Sequence, residues 1–175
     1  MAFTAYLYVK AEKGEIKGFS NEDEKTFDGK NIKEMSRVQA FNHSIRVDTH
    51  RQTGESQNSQ HTPVMVTLDL DRSVSELYKA LTTNQRIVEA KIYFFRAGAG
   101  PRSKTTDEQF HNWFTVTVKD ARIVGLELRK SLALGDANLP DLIDVTFSYY
   151  EICWEDHDEN KEASYAWKSK SGTKV

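Results

Sequence analysis

The amino-acid sequence predicts a mainly β protein, a small antiparallel β-barrel of two packed sheets flanked by one α-helix. Three observations lead there. Short segments rich in β-branched and aromatic residues recur along the chain, one stretch alone keeps a helical period, and strands do not alternate with helices as a parallel sheet requires. At 175 residues the chain can bury a sizeable core without disulfides or a structural metal. A single domain over residues 1–168 followed by a polar tail over 169–175 accounts for it.

The elements follow in order. Phe3, Ala5, Leu7 and Val9 alternate with Thr4, Tyr6, Tyr8 and Lys10, the period of a half-buried strand. From Gly18 to Glu34 the chain is charged and irregular and carries the turn signal Asp28-Gly29, so a long surface loop is expected. Residues 36–49 resume strand character through Val38, Ala40, Phe41, Ile45 and Val47, with a bulge expected near Asn42. Residues 51–63 lose every large apolar side chain, which fits either an exposed protruding loop or a disordered one.

Residues 64–70 read as a strand that Asp71-Arg72-Ser73 ends. Ser73 and Glu76 have the spacing of a capping box, and Val74, Leu77, Tyr78 and Leu81 share one helical face. That helix is expected to run to about Asn84. Further strands are expected over 87–97, 110–118, 121–128 and 143–154, and a last short one at SYAWK.

Lys plus Arg number 24 and Asp plus Glu 26, a net charge of -2, so nothing draws the chain toward nucleic acid. The one cysteine cannot close an intrachain disulfide, and the opening MAFTAYLYVK lacks the basic and apolar regions of a cleaved signal peptide. No apolar run reaches the roughly 20 residues of a membrane helix. Folding in a reducing cytoplasm, without membrane insertion, is the expectation, and any export would use a route that reads no signal peptide.

The densest group of ligand-type residues is Cys153 and His157 among Glu155, Asp156, Asp158 and Glu159. A zinc site needs more ligands than Cys153 and His157. On a continuous strand over 143–154, Cys153 would share an apolar face with Ile143, Val145 and Phe147, which favours an inert buried thiol. The acidic run then reads as a solvated turn. His43, His50, His61 and His111 could join Asp48, Asp69 or Asp71 in a metal-dependent hydrolase, but neither HExxH nor H-x-H occurs. G-x-S-x-G is also absent. The glycines and basic residues of 96–104 lack the G-K-[ST] ending of a phosphate loop and read as an inter-strand loop. No catalytic residue, metal or cofactor is expected.

Five collinear stretches carry a resemblance. They are AFTAYLYVKAEKGEIKG, HSIRVDTHRQTGESQNSQHTPVMVTLDLDRSVSELYKAL, AKIYFFRAG, FTVTVKDARIVGLEL and DVTFSYYEICWEDHDENKEASYAW. Together they resemble the haemolysin-coregulated protein (Hcp) family, the tube subunit of bacterial type VI secretion systems, whose architecture phage tail-tube proteins share. The resemblance implies a barrel with one helix that forms hexameric rings, and rings that stack into a tube. It implies that the helix with Ser73, Glu76, Leu77 and Leu81 lies outside. It implies that a loop comprising His50, Arg51, Gln52, Thr53, Gly54, Glu55, Gln57, Asn58, Gln60 and His61 reaches a neighbouring subunit or ring. The implied partners are further copies of the chain, the secretion sheath and spike, and effector proteins carried in the lumen. Gln57-Asn58-Ser59-Gln60 stands where many members have a glycine- and arginine-containing turn, and the loop from Gly98 to Gln109 is long. The acidic turn could meet basic residues of a neighbour at a ring surface. A metal-assisted hydrolase and a monomeric ligand-binding barrel are the competing readings.

Overall fold

A computed structural model describes residues 4–22, 26–47, 59–98, 110–130 and 141–167. The strands are β1 (Thr4–Ala11), β2 (Gly14–Ile16), β3 (Thr26–Phe27), β4 (Lys30–Asn31), β5 (Ser36–Asn42), β6 (Ile45–Arg46) and β7 (Gln60–His61), then β8 (Val64–Asp69), β9 (Arg86–Ala97), β10 (Phe110–Arg129), β11 (Leu142–Ser148), β12 (Glu151–Asp156) and β13 (Lys161–Ala166). A 3₁₀ turn, Ile32–Glu34, follows β4, and the helix α1, Val74–Thr82, follows β8.

The main sheet runs β11-β8-β5-β1-β9-β10-β12-β13, and β10 also pairs with β11. That second pairing closes the circuit β10-β11-β8-β5-β1-β9, the barrel the sequence predicts. Closure depends on the length of β10. Its residues 114–119 pair with β12 and its residues 122–129 with β11, while β9 spans the junction between them. Two separate strands, over 110–118 and 121–128, were expected here. Asp120 does take a left-handed φ of 48°, but the ladder to β9 and β11 continues past it with a register shift after Ile123. A bulge bends the strand without ending it.

Inside the circuit, Leu7, Val9, Val66, Ile92, Val116 and Phe147 belong to one continuous buried cluster. The opposite face of β1 and β9 is buried too. Tyr6, Tyr8, Tyr93 and Phe95 meet Ile32 and Met35 there, with Phe27 packed against them. The expected surface loop is therefore corrected: residues 26–35 fold back as the β3–β4 hairpin and the 3₁₀ turn, and their few apolar residues cover this second face. The tyrosine hydroxyls at its rim donate to Glu22 (2.7 Å), Glu15 (2.7 Å) and Asp28 (2.8 Å), from Tyr6, Tyr8 and Tyr93 respectively.

The helix stands where its period predicts, but its cap differs. Ser73 has helical φ and ψ and makes no side-chain cap bond, so the Ser73–Glu76 box does not form. Asp71 acts instead: its Oδ1 accepts from the Ser73 amide (2.8 Å) and the Ser73 hydroxyl (2.5 Å). Leu77 and Ala80 are buried, Val74 and Leu81 pack beside them, and Tyr78 is exposed. The packed face thus takes in Ala80 and leaves out the expected Tyr78.

The strand expected over 143–154 breaks at Tyr149 and Tyr150, giving β11 and β12. The break changes side-chain parity. Ile143, Val145 and Phe147 point into the core, and beyond it Ile152 and Trp154 do so. Cys153 is buried, but in register with Thr117 on the other face of the sheet.

Candidate functional site

Beyond Asn42 the chain leaves the barrel. The short strands β6 and β7 pair as a ribbon, Ile45 opposite His61 and Arg46 opposite Gln60, and the Ser44 amide donates to Thr62 Oγ1 (2.9 Å) at its base. Ile45 and Val47 are exposed. Of the expected contact loop, Gln60 and His61 form β7, whereas His50, Arg51, Gln52, Thr53, Gly54, Glu55, Gln57 and Asn58 lie outside the described residues.

At the ribbon's root the histidines His43 and His61 meet over the hydroxyl of Tyr149, at the β11–β12 break. His43 Nε2 lies 2.7 Å and His61 Nδ1 2.9 Å from Tyr149 Oη. Tyr165 stacks on His61 with ring centroids 4.2 Å apart, and Trp154 stands beside His43. On the outer side Ser59 Oγ is 3.3 Å from His61 Nε2. Burial holds both imidazoles below their ordinary pKa, His43 additionally through the nearby His61. Burial, with the Tyr165 charge, pushes Tyr149 up to about 12. The group is therefore neutral at neutral pH.

Two of the histidines of the hydrolase reading thus converge, but Asp69 and Asp71 do not join them. Asp69 accepts from Gln39 (2.8 Å) and Asp71 caps the helix. His111 is bound to Asp158 (2.6 Å), and His50 and Asp48 lie outside the described residues. Tyr149 was missed by sequence reading. Its partners are 106 and 88 residues away, and no local pattern links them.

The acidic turn is only partly the solvated feature expected. Asp158 is held by Arg96 and His111, both near the ends of β9 and β10. Asp156 Oδ1 accepts from the amides of Asp158 (2.9 Å) and Glu159 (3.0 Å). Glu159 alone pairs at the surface, with Lys161 (3.5 Å), while Glu155 lies in the ladder opposite Glu162. Asp156 and Asp158 therefore have partners within the chain.

Cys153 and His157 share no ligand set. The Cys153 thiol donates to Glu162 Oε1 (3.2 Å), and burial, reinforced by that carboxylate, pushes it up to about 12. His157 Nε2 is 2.8 Å from Thr115 Oγ1, which also accepts from Asn112 Nδ2 (3.0 Å). Among the described residues no three of His, Cys, Asp and Glu gather around one point. On the helix, Leu77 is fully buried, Leu81 half-buried and Glu76 exposed, and the Ser73 hydroxyl is 3.2 Å from that of Ser36.

Among the described residues the sheet ends at β13, which pairs there with β12 alone and is mostly exposed. Its other edge offers backbone donors and acceptors to a further strand.

Residues 8–155 match the family model described as type VI secretion system effector, Hcp. The major exported protein of Pseudomonas aeruginosa is 27% identical over 135 residues, covering 75% of this chain and 74% of that protein. A crystal structure described as Hcp protein superposes with a TM-score of 0.78 at 24% identity, over 96% of this chain and 99% of that one. Hcp1 from E. coli EAEC 042 superposes with a TM-score of 0.74 at 24% identity, over 95% and 100% of the two chains. These structures share the fold described above.

Proposed function

The chain belongs to the Hcp family of type VI secretion proteins, and on that premise we propose that it is a ring-forming subunit of the secretion tube. The observation that carries the reading is the family match over residues 8–155. The edge strand β13 supplies a physical reason. A ring closes when one surface of each subunit meets a different surface of the next, and an unpaired strand edge suits such a heterologous contact. A second contact, whose operator does not close, stacks rings into a tube.

In this proposal the residues between His50 and His61 reach a neighbouring subunit or ring, and α1 faces outward. The chain assembles in the cytoplasm as one domain over residues 1–168, engages sheath and spike, and is exported without a cleaved signal peptide together with effectors carried in the lumen. The role is structural, with no catalytic step assigned. A barrel interior filled by Ile92, Val116 and Phe147 counts against the competing ligand-binding barrel.

Negative-stain microscopy and light scattering of the purified chain test this. Rings with a central hole and a mass of about six chains, or multiples of it, are expected. A clean monomer at micromolar concentration overturns the proposal. Replacing residues 51–58 by a short Gly-Ser linker should weaken assembly and leave the β-sheet circular-dichroism signal intact.

A further inference from the structure

The geometry points to a divalent copper site at the root of the ribbon, formed by His43 Nε2, His61 Nδ1 and Tyr149 Oη. These are three ligand-type atoms from three separate segments, with the two ring nitrogens 2.7 and 2.9 Å from the shared hydroxyl oxygen. Two ligands about 2.0 Å from a metal stand about 2.8 Å apart at right angles and about 3.3 Å apart at the tetrahedral angle, and the shorter spacing is that of tetragonal copper. The two imidazole ring centroids are 6.0 Å apart. Imidazoles on opposite sides of one ion, with bonds of about 2.0 Å, hold their centroids roughly 6 Å apart. Both spacings fit a T-shaped set with the histidines trans and the phenol oxygen between them.

The surroundings suit metal binding. A ligating imidazole is usually oriented by a partner on its other nitrogen, and Ser59 Oγ lies 3.3 Å from His61 Nε2. Tyr165 against His61 and Trp154 beside His43 restrict ring rotation. Coordination balances simply. His61 carries its proton on Nε2, toward Ser59, which leaves the Nδ1 lone pair for the ion. Tyr149 releases its phenolic proton to solvent and binds as the phenolate, with no change of oxidation state. The bound ion would fasten the ribbon root to the β11–β12 break.

The test titrates chelator-treated full-length protein with Cu(II) alone, followed by calorimetry, electron paramagnetic resonance and visible absorption. Uptake of one ion per chain, hyperfine coupling to imidazole nitrogens and a phenolate-to-copper charge-transfer band are expected. His43→Gln and His61→Gln should each weaken binding by more than about tenfold, the lower limit for losing even an outer-shell group. Tyr149→Phe should abolish the charge-transfer band. Wild-type protein that takes up no copper saturably overturns the assignment whether or not the variants fold. Binding that is unchanged in both histidine variants overturns it too, since the ion is then held elsewhere. Uptake without the phenolate band removes Tyr149 from the site.

Discussion

Gly18 lies directly beneath Asp71. A Cβ added to Gly18 would come within 2.7 Å of Asp71 Oδ2 and 2.2 Å of Ser36 Oγ. The same carboxylate accepts from the Phe19 amide (2.9 Å) and caps α1 through Ser73, while Arg72 Nε donates to the Gly18 carbonyl (2.7 Å). One glycine thus lets the chain after β2, the start of β5 and the helix N-terminus meet.

Gly18→Ala should therefore destabilise the fold by about 2 kcal/mol, the usual scale of overpacking. Urea unfolding followed by circular dichroism measures it. An unchanged midpoint would mean that Ser36 and Asp71 move aside freely.

Leu77 is 1% exposed and is the main apolar anchor of α1. Leu77→Ala should cost about 3 kcal/mol. Leu77→Asp should leave the chain largely unfolded, because an unpaired carboxylate would lose its hydration in the core. Thermal melting of both variants tests the ranking.

The Cys153 thiol, pushed up to about 12 and bonded to Glu162, should resist a thiol reagent at pH 8 in the native protein and react fully in urea. Reactivity follows the thiolate fraction and access. Rapid native labelling would show that β13 opens easily from β12.

Asp28 sets an acid limit. Burial acts to raise its carboxyl, but the hydrogen bonds from Tyr93 and Lys30 and the charges of Lys91 and Lys30 outweigh burial and lower it. The folded state therefore releases this proton more readily than the unfolded chain does. Its contribution is complete above the unfolded value of about 3.9 and is lost as pH falls through the folded one. Stability of Asp28→Asn should fall less steeply than wild type below about pH 4, measured by urea midpoints across an acid series.

Local pattern made much of this architecture legible. The alternation in residues 3–10, the β-branched runs and the single helical period identified most of the strands and α1, because period reflects which face is buried. Features that depend on a partner strand were not legible. Two strands were read from the sequence on either side of Asp120, yet β9 on one side and β11 on the other keep β10 continuous over 20 residues. Ser73 and Glu76 have the spacing of a capping box, yet Asp71 supplies the cap from outside it.

The stretch around Cys153 draws the line between the two levels. Composition and period were enough to place a buried cysteine on a strand that ends in an acidic turn. Tertiary pairing decided the rest: the break at Tyr149 and Tyr150 turned Cys153 to the opposite face of the sheet, Asp158 met Arg96 and His111, and His43 and His61 met at one hydroxyl. Side-chain period is a local property of the chain. Register, and the convergence of residues about a hundred positions apart, exist only once the barrel closes.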